Sequence, residues 1–151
     1  MRKVFFIAVL AALLVSVAIQ LRLSDTFDPA GPVFPTHAIV ASGQMWQLEI
    51  ANTDALRSLG LGERDSLPKE KGMLFLYGQP GRYGFWMHGM RFPLDMVFLS
   101  QGEIIFIERG IQPGDPKIVM PPTPVDQVLE LNSGEADDLE SGDHIWYWRS
   151  F

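Results

Sequence analysis

Residues Gly72 to Phe106 read GMLFLYGQPGRYGFWMHGMRFPLDMVFLSQGEIIF, and the fold turns on how this stretch is divided. β-prone apolar runs succeed one another with only turn residues between them. Gly72 to Tyr77 reads as a strand, Gly78-Gln79-Pro80-Gly81 as a turn, and Tyr83 to His88 as a second strand. Phe92 to Leu99 is a third strand, with Pro93 tolerable only at its start or on an edge. Gln101-Gly102 then turns the chain into Glu103 to Glu108, which returns as a hairpin. Within Tyr83 to His88, alternation puts Tyr83, Phe85 and Met87 on one face and Gly84, Trp86 and His88 on the other.

The flanks repeat the pattern. Upstream, Met45 to Ala51 alternates Trp46, Leu48 and Ile50 with Gln47 and Glu49, the mark of a half-buried strand, and His37 to Val40 is a shorter one. Asn52 or Thr53 offers a cap to a short helix carrying Leu56 and Leu59, which Gly60 ends. Downstream, Arg109 to Pro124 holds five prolines and two glycines in 16 residues, the composition of a long functional loop. Val125 to Leu131 resumes a strand, Gly134 to Glu140 reads as an acidic turn of helix, and His144 to Trp148 as a last strand. The reading is an α+β domain built on one mainly antiparallel, curled, barrel-like sheet with one or two short helices.

An N-terminal hydrophobic helix precedes this domain. Val4 to Leu21 is an apolar run of 18 residues behind the basic Arg2 and Lys3. That length is the lower limit for a membrane span, and the run has no polar stripe to mark it as a core helix. An uncleaved anchor is favoured by apolar residues continuing to Leu21. A removed signal peptide is favoured by the small-residue pattern Ser16-Val17-Ala18. Either reading exports the domain, to the cell membrane or to the extracytoplasmic space. The chain therefore divides into an anchor or signal over 1–22, a proline-rich linker over 23–36, and a domain over 37–151.

Formal net charge is −6, and setting aside Arg2 and Lys3 leaves −8, which repels nucleic-acid phosphate. The absence of cysteine excludes disulfides, thiolate metal sites and a cysteine nucleophile. His37, His88 and His144 stand at no metal-ligand spacing, so no metal is expected, and no motif implies a cofactor. No G-x-S-x-G or S-x-x-K pattern marks a serine nucleophile.

Two polar residues stand out in apolar surroundings. Asp95, inside FPLDMVFL, is either an acceptor for backbone amides or arginine, or a functional carboxylate; an unpartnered one would cost several kcal/mol. His88 shares a face with Trp86 beside a bare glycine and could line a small pocket. The favoured function is a non-catalytic module binding an envelope protein, a glycan or a small ligand through Trp86 and His88, with Asp115 and Lys117 from the proline loop laid over them. The alternative is a small extracytoplasmic hydrolase using Asp95 and His88 as acid and base. The aromatic run His144-Ile145-Trp146-Tyr147-Trp148 reads chiefly as core closure.

Several stretches, taken together, resemble one family. They are Leu61-Gly62-Glu63-Arg64-Asp65-Ser66-Leu67, Gly72-Met73-Leu74-Phe75, Phe85-Trp86-Met87, Pro93-Leu94-Asp95, Val128-Leu129-Glu130-Leu131, Gly134 and Gly142-Asp143. In this order and spacing the chain is similar to the domain of unknown function 192, also called ACR, from about Ala38 to Trp148. The resemblance implies an exported or membrane-tethered domain of mainly β character and implies no activity. The chain departs from the family after Phe85-Trp86-Met87, where His88-Gly89-Met90 replaces a commoner Lys-Asn-Thr-like triplet. Its proline loop also lacks the cysteine that some members carry.

Overall fold

The helix read after Thr53 forms, and it sets the direction of the next strand. In the computed structural model, which describes the backbone of residues 36–40 and 43–149 and the side chains of 43–147, α1 spans Asp54–Leu59. The Leu56 amide donates to the Thr53 hydroxyl at 3.3 Å, and Gly60, at φ 52°, donates its amide to the Leu56 carbonyl. Strand β2 (Met45–Ala51) enters this helix, and the chain leaves it through a connector into β3 (Lys71–Gly81). Helix and connector carry the chain back to the same end of the sheet, so β2 and β3 pair parallel.

The connector is held to the sheet by the residues of its LGERDSL run. Leu61 and Leu67 are buried, and Arg64 grips Glu49 of β2 through two hydrogen bonds of 2.5 and 2.7 Å. Gly72 lets β3 sit close to its neighbours, since a Cβ there would lie 2.8 Å from the Glu130 carbonyl oxygen.

The remaining strands are β1 (Thr36–Val40), β4 (Leu94–Ser100), β5 (Glu103–Ile111), β6 (Val125–Asn132) and β7 (Ile145–Arg149). They form one seven-stranded sheet in the order β5-β4-β6-β3-β2-β1-β7, antiparallel except at β2–β3. The sheet is thus mixed, and it is open where a barrel-like closure was expected. Among the described residues its edges β5 and β7 are joined by no ladder; β5 and the residue before β7 approach at the bridge Glu103↔His144, with Ile104 N–H donating to Asp143 at 2.8 Å.

Three local expectations fail for identifiable reasons. Gly78-Gln79-Pro80-Gly81 is no reversal: β3 runs through it, and the pairing with β6 skips from Leu76 to Gly81 as an irregularity. Tyr83 to His88 is no strand, because its neighbour is the proline loop, which can pair only at Phe85↔Val119 between prolines that carry no amide. Its alternation nevertheless survives, with Phe85 and Met87 buried and Trp86 and His88 exposed. Gly134 to Glu140 forms turns in place of a helix, the Gly134 and Ala136 amides being bent onto the Asp95 carboxylate.

Each face of the sheet has its own core. On one face Met73, Phe75, Met96, Phe98 and Val128 pack under Leu61, Leu67, Phe85, Met87 and Val119. On the other, Leu48, Leu74, Val97, Leu129 and Leu131 pack with Ala136, Leu139 and Ile145. Among the described residues of the C-terminal aromatic run, Ile145 is buried in this core while Trp146 is 56% exposed. No helix among the described residues is long and apolar enough to cross a membrane. The anchor or signal over 1–22 and most of the linker over 23–36 lie outside those residues.

Candidate functional site

On the first of these faces the cover is incomplete. Between α1 and the segment Gly84–Met90 lies a cavity of about 370 Å³, within the range of small-ligand sites. Phe75 and Phe85 line it from the core, and Leu61 and Met90 from the sides.

Glu130 of β6 lies among these lining groups. It sits in register between Met73 of β3 and Met96 of β4, so it occupies a core position on this face. The residue is 5% exposed. Among the described residues no side chain or backbone amide hydrogen-bonds its carboxyl. Burial alone pushes its pKa to about 8, so the group is mostly neutral at pH 7. A neutral carboxyl facing a cavity can donate and accept hydrogen bonds with what enters it.

Tyr77 of β3 also lines the cavity. Burial pushes the Tyr77 hydroxyl up to about 12, against the opposing effect of the Arg57 guanidinium, so the phenol keeps its proton. Its ring stacks on Tyr83 at 3.5 Å, and the Tyr83 hydroxyl donates to the Gln79 carbonyl at 2.6 Å. The irregular end of β3 thus has a purpose: it brings Gln79 and Tyr83 round to support Tyr77. Arg57 of α1 lies over the other side, its central carbon 5.1 Å from the Tyr77 ring centre. Arg57 donates to the Leu76 carbonyl at 2.7 Å and to Asp54 at 2.5 Å, which ties helix to strand across the cavity.

At the mouth stand Trp86, 59% exposed, with Leu59 and His88. The structure thus brings Trp86 and His88 into one site. It does not bring Asp95 there. Asp95 is 0% exposed and points to the opposite face of the sheet, where its oxygens accept from the amides of Gly110 (2.8 Å), Gly134 (2.8 Å) and Ala136 (3.1 Å). Nor do Asp115 and Lys117 line the cavity: Asp115 accepts from the Lys117 amide at 2.8 Å, and the Lys117 ammonium pairs with Glu108 at 2.5 Å. The proline loop lies against Gly84, where an added Cβ would meet Ile118 and Met120 at 2.9 Å, so it backs the wall and α1 supplies the facing one. Among the described residues no cluster of three histidine or acidic side chains could hold a metal.

The sequence reading missed Glu130, Tyr77 and Arg57 as site residues. Glu130 gave a usable signal: an acid on the same strand face as Val128, in the apolar run VLEL, is as anomalous as Asp95 in PLDM. Arg57 gave none, because its helix is exposed and amphipathic as many surface helices are.

Fold and cleft together define a small β-rich domain with one mixed sheet, a single short crossover helix and a ligand-sized cavity beside that helix. The chain belongs to the DUF192 family, described as uncharacterised ACR, whose model matches residues 37–147. Two solved structures are similar to it. One, from Sinorhizobium meliloti 1021 and described as a candidate transcription regulator, is 32% identical over 78% of this chain and 98% of its own, with a TM-score of 0.69. The other, a protein of unknown function from Novosphingobium aromaticivorans DSM 12444, is 30% identical over 79% of this chain and 94% of its own, with a TM-score of 0.70. No curated protein matches the chain.

Proposed function

We propose that the domain is a non-catalytic binding module that takes a small ligand in the cleft between α1 and Gly84–Met90, and that Val4 to Leu21 holds it on the extracytoplasmic side of a membrane. One observation carries the binding reading: Glu130, a residue 5% exposed whose carboxyl has no hydrogen-bond partner among the described residues, lines a cavity that opens beside an exposed tryptophan. A sheet strand holds the acid rigidly, and Trp86 offers an aromatic surface at the entrance. A hydrolase using Asp95 and His88 has less support, because three backbone amides occupy the Asp95 carboxylate on the face away from His88. The regulator description of the Sinorhizobium protein does not favour a DNA-binding role here, since the chain's charge of −6 opposes phosphate.

A fragment library screened by NMR against the chain tests the cleft. Ligands are expected to move the Trp86 indole and Met90 methyl signals in the wild type, and the Met90 shift is expected to weaken in Trp86→Ala. Binders that leave both signals unmoved would overturn the cleft as the site. Cell fractionation with mass measurement of the N-terminus tests the tether: an intact N-terminus in the membrane fraction supports the anchor, a chain beginning at Ile19 supports a removed signal, and cytosolic recovery defeats both.

A further inference from the structure

The exposed apolar side chains are not scattered. Of the seven large ones among the described residues, four gather at the cleft: Leu59, Trp86, Ile118 and Met120. The Phe85↔Val119 bridge explains the grouping. Its two hydrogen bonds, of 2.9 and 2.8 Å, set Gly84 to Trp86 alongside Ile118 to Met120, and because Phe85 and Val119 turn into the core, the residues flanking them turn outward. Gly84 lets the outward side chains close up, since a Cβ there would meet Ile118 and Met120 at 2.9 Å. Leu59 of α1 and Trp86 of the segment opposite both line the cavity, so the patch runs round its mouth. An apolar patch of this kind marks a contact surface.

We infer that the domain rests on the lipid surface through Leu59, Trp86, Ile118 and Met120, with the cleft opening onto the bilayer; this rests on Val4 to Leu21 holding the chain in that membrane. The patch is too small for a free protein partner. A standard protein interface takes about 20 to 30 residues from each side and needs matching shape, whereas a lipid interface accepts a few apolar side chains of any outline. Tethering makes a weak patch sufficient, because docking becomes an intramolecular event at an effective concentration on the order of millimolar. The 14 residues from 22 to 35 can span up to about 50 Å, more than the width of about 35 Å expected for a compact domain of this size, so any face can reach the membrane.

Charge favours this face. The acids near the patch are engaged: Asp54 by Arg57, Glu108 by the Lys117 ammonium and Asp115 by the Lys117 amide. Arg82, two residues before Gly84, gives its Nε to the Pro121 carbonyl at 3.0 Å and meets no acid among the described residues, which leaves the rest of its guanidinium for a lipid phosphate. Met45, exposed at the end of β2 away from α1, has the opposite surroundings. Its hollow carries Glu70 and Glu135 against Lys69 alone, so that end of the sheet would meet phosphate with like charge.

The test places the 151-residue chain, ¹³C-methyl-labelled at methionine, in nanodiscs whose phosphatidylcholine carries a nitroxide near the headgroup, and reads the relaxation enhancement at each methyl. Met120 lies in the patch, Met90 lines the cleft, and Met45 is the exposed methyl elsewhere. Enhancement at Met120 and Met90 is expected to exceed that at Met45 at least threefold. Ile118→Gln is expected to lower the Met120 value at least twofold while the chain stays in the nanodisc fraction, with unmoved signals from the buried Met73 and Met96 verifying its fold. Equal enhancement at all three methyls, or more at Met45, overturns the docking and leaves the tether standing. Enhancement at Met120 without Met90 overturns the orientation of the cleft, and an Ile118→Gln chain with an undiminished Met120 value overturns the patch as the contact. A Met120 signal without enhancement that moves with chain concentration gives the patch to a second copy and overturns the lipid assignment. A chain that elutes apart from the nanodiscs overturns the tether, and the docking with it.

Discussion

Asp95 and Glu130 are both buried acids on adjacent strands, one on each face of the same sheet, and their surroundings could hardly differ more. Asp95 is surrounded by amides: three backbone N–H groups from the β5 end and the turn after β6 converge on it. Those amides would otherwise be unsatisfied, so the carboxylate fixes the end of β5 and the turn after β6. Glu130 has no such partners among the described residues, and burial holds it neutral. One acid builds the fold, and the other is left open to the cavity. Burial is thus common to both carboxyls, and the number of amides facing each is what differs.

The sharpest test of this contrast is Asp95→Ala. It strands three amides and should cost roughly 3 to 5 kcal/mol, at about 1 to 3 kcal/mol for each group left unsatisfied and partly rehydrated. Chemical denaturation measures it, and a loss below about 1 kcal/mol would put Asp95 in the same class as Glu130.

Glu130→Gln should change the pH dependence instead. The folded pKa of Glu130 is about 8, above its ordinary value of 4.5, so the folded state binds the extra proton between these limits. Its contribution is therefore fully present below about pH 4.5 and is lost as pH rises through about 8, at up to about 1.4 kcal/mol per pH unit. Melting curves from pH 5 to 8 should show that slope in the wild type and a flatter one in the variant. Equal slopes would mean that Glu130 is solvated or paired.

A smaller effect is expected at Gly72, beside the Glu130 backbone. Gly72→Ala puts a methyl 2.8 Å from the Glu130 carbonyl oxygen and should cost about 1 to 3 kcal/mol in unfolding free energy by forcing β3 from β6. If the cleft depends on that spacing, ligand affinity will fall with it. Smallest of all is Trp86→Ala, whose stability should change by about 0.5 kcal/mol or less because the side chain is mostly exposed, while binding in the cleft weakens. A large drop in stability would recast Trp86 as part of the core.

Legibility tracks the range of the interactions involved. A cap at Asn52 or Thr53, which the structure resolves to Thr53, Gly60 ending the helix, and Met45–Ala51 alternating as a strand depend on neighbours a few residues away, and each formed within the bounds the sequence set. The inside-outside order of Phe85, Trp86, Met87 and His88 held even though the stretch is no strand, because apolar burial needs only that the backbone be extended. The turn read at Gly78–Gly81 failed because glycine and proline signal irregularity without saying whether a chain reverses or merely bulges.

The sequence by itself determined a β-rich domain whose family match covers 37–147, its short helix, its family and the pairing of Trp86 with His88 on one exposed side. Only the tertiary structure decided that β2 and β3 run parallel, that α1 and not the proline loop faces Trp86, and that Asp95 and Glu130 look to opposite faces. The reason is physical. Alternation assigns a side chain to one of two faces, but which face carries a cavity, and which amides reach which carboxyl, depends on segments far apart in the chain, as Ala136 is 41 residues from Asp95 and Glu70 is 65 from Glu135, that meet only when the sheet is assembled.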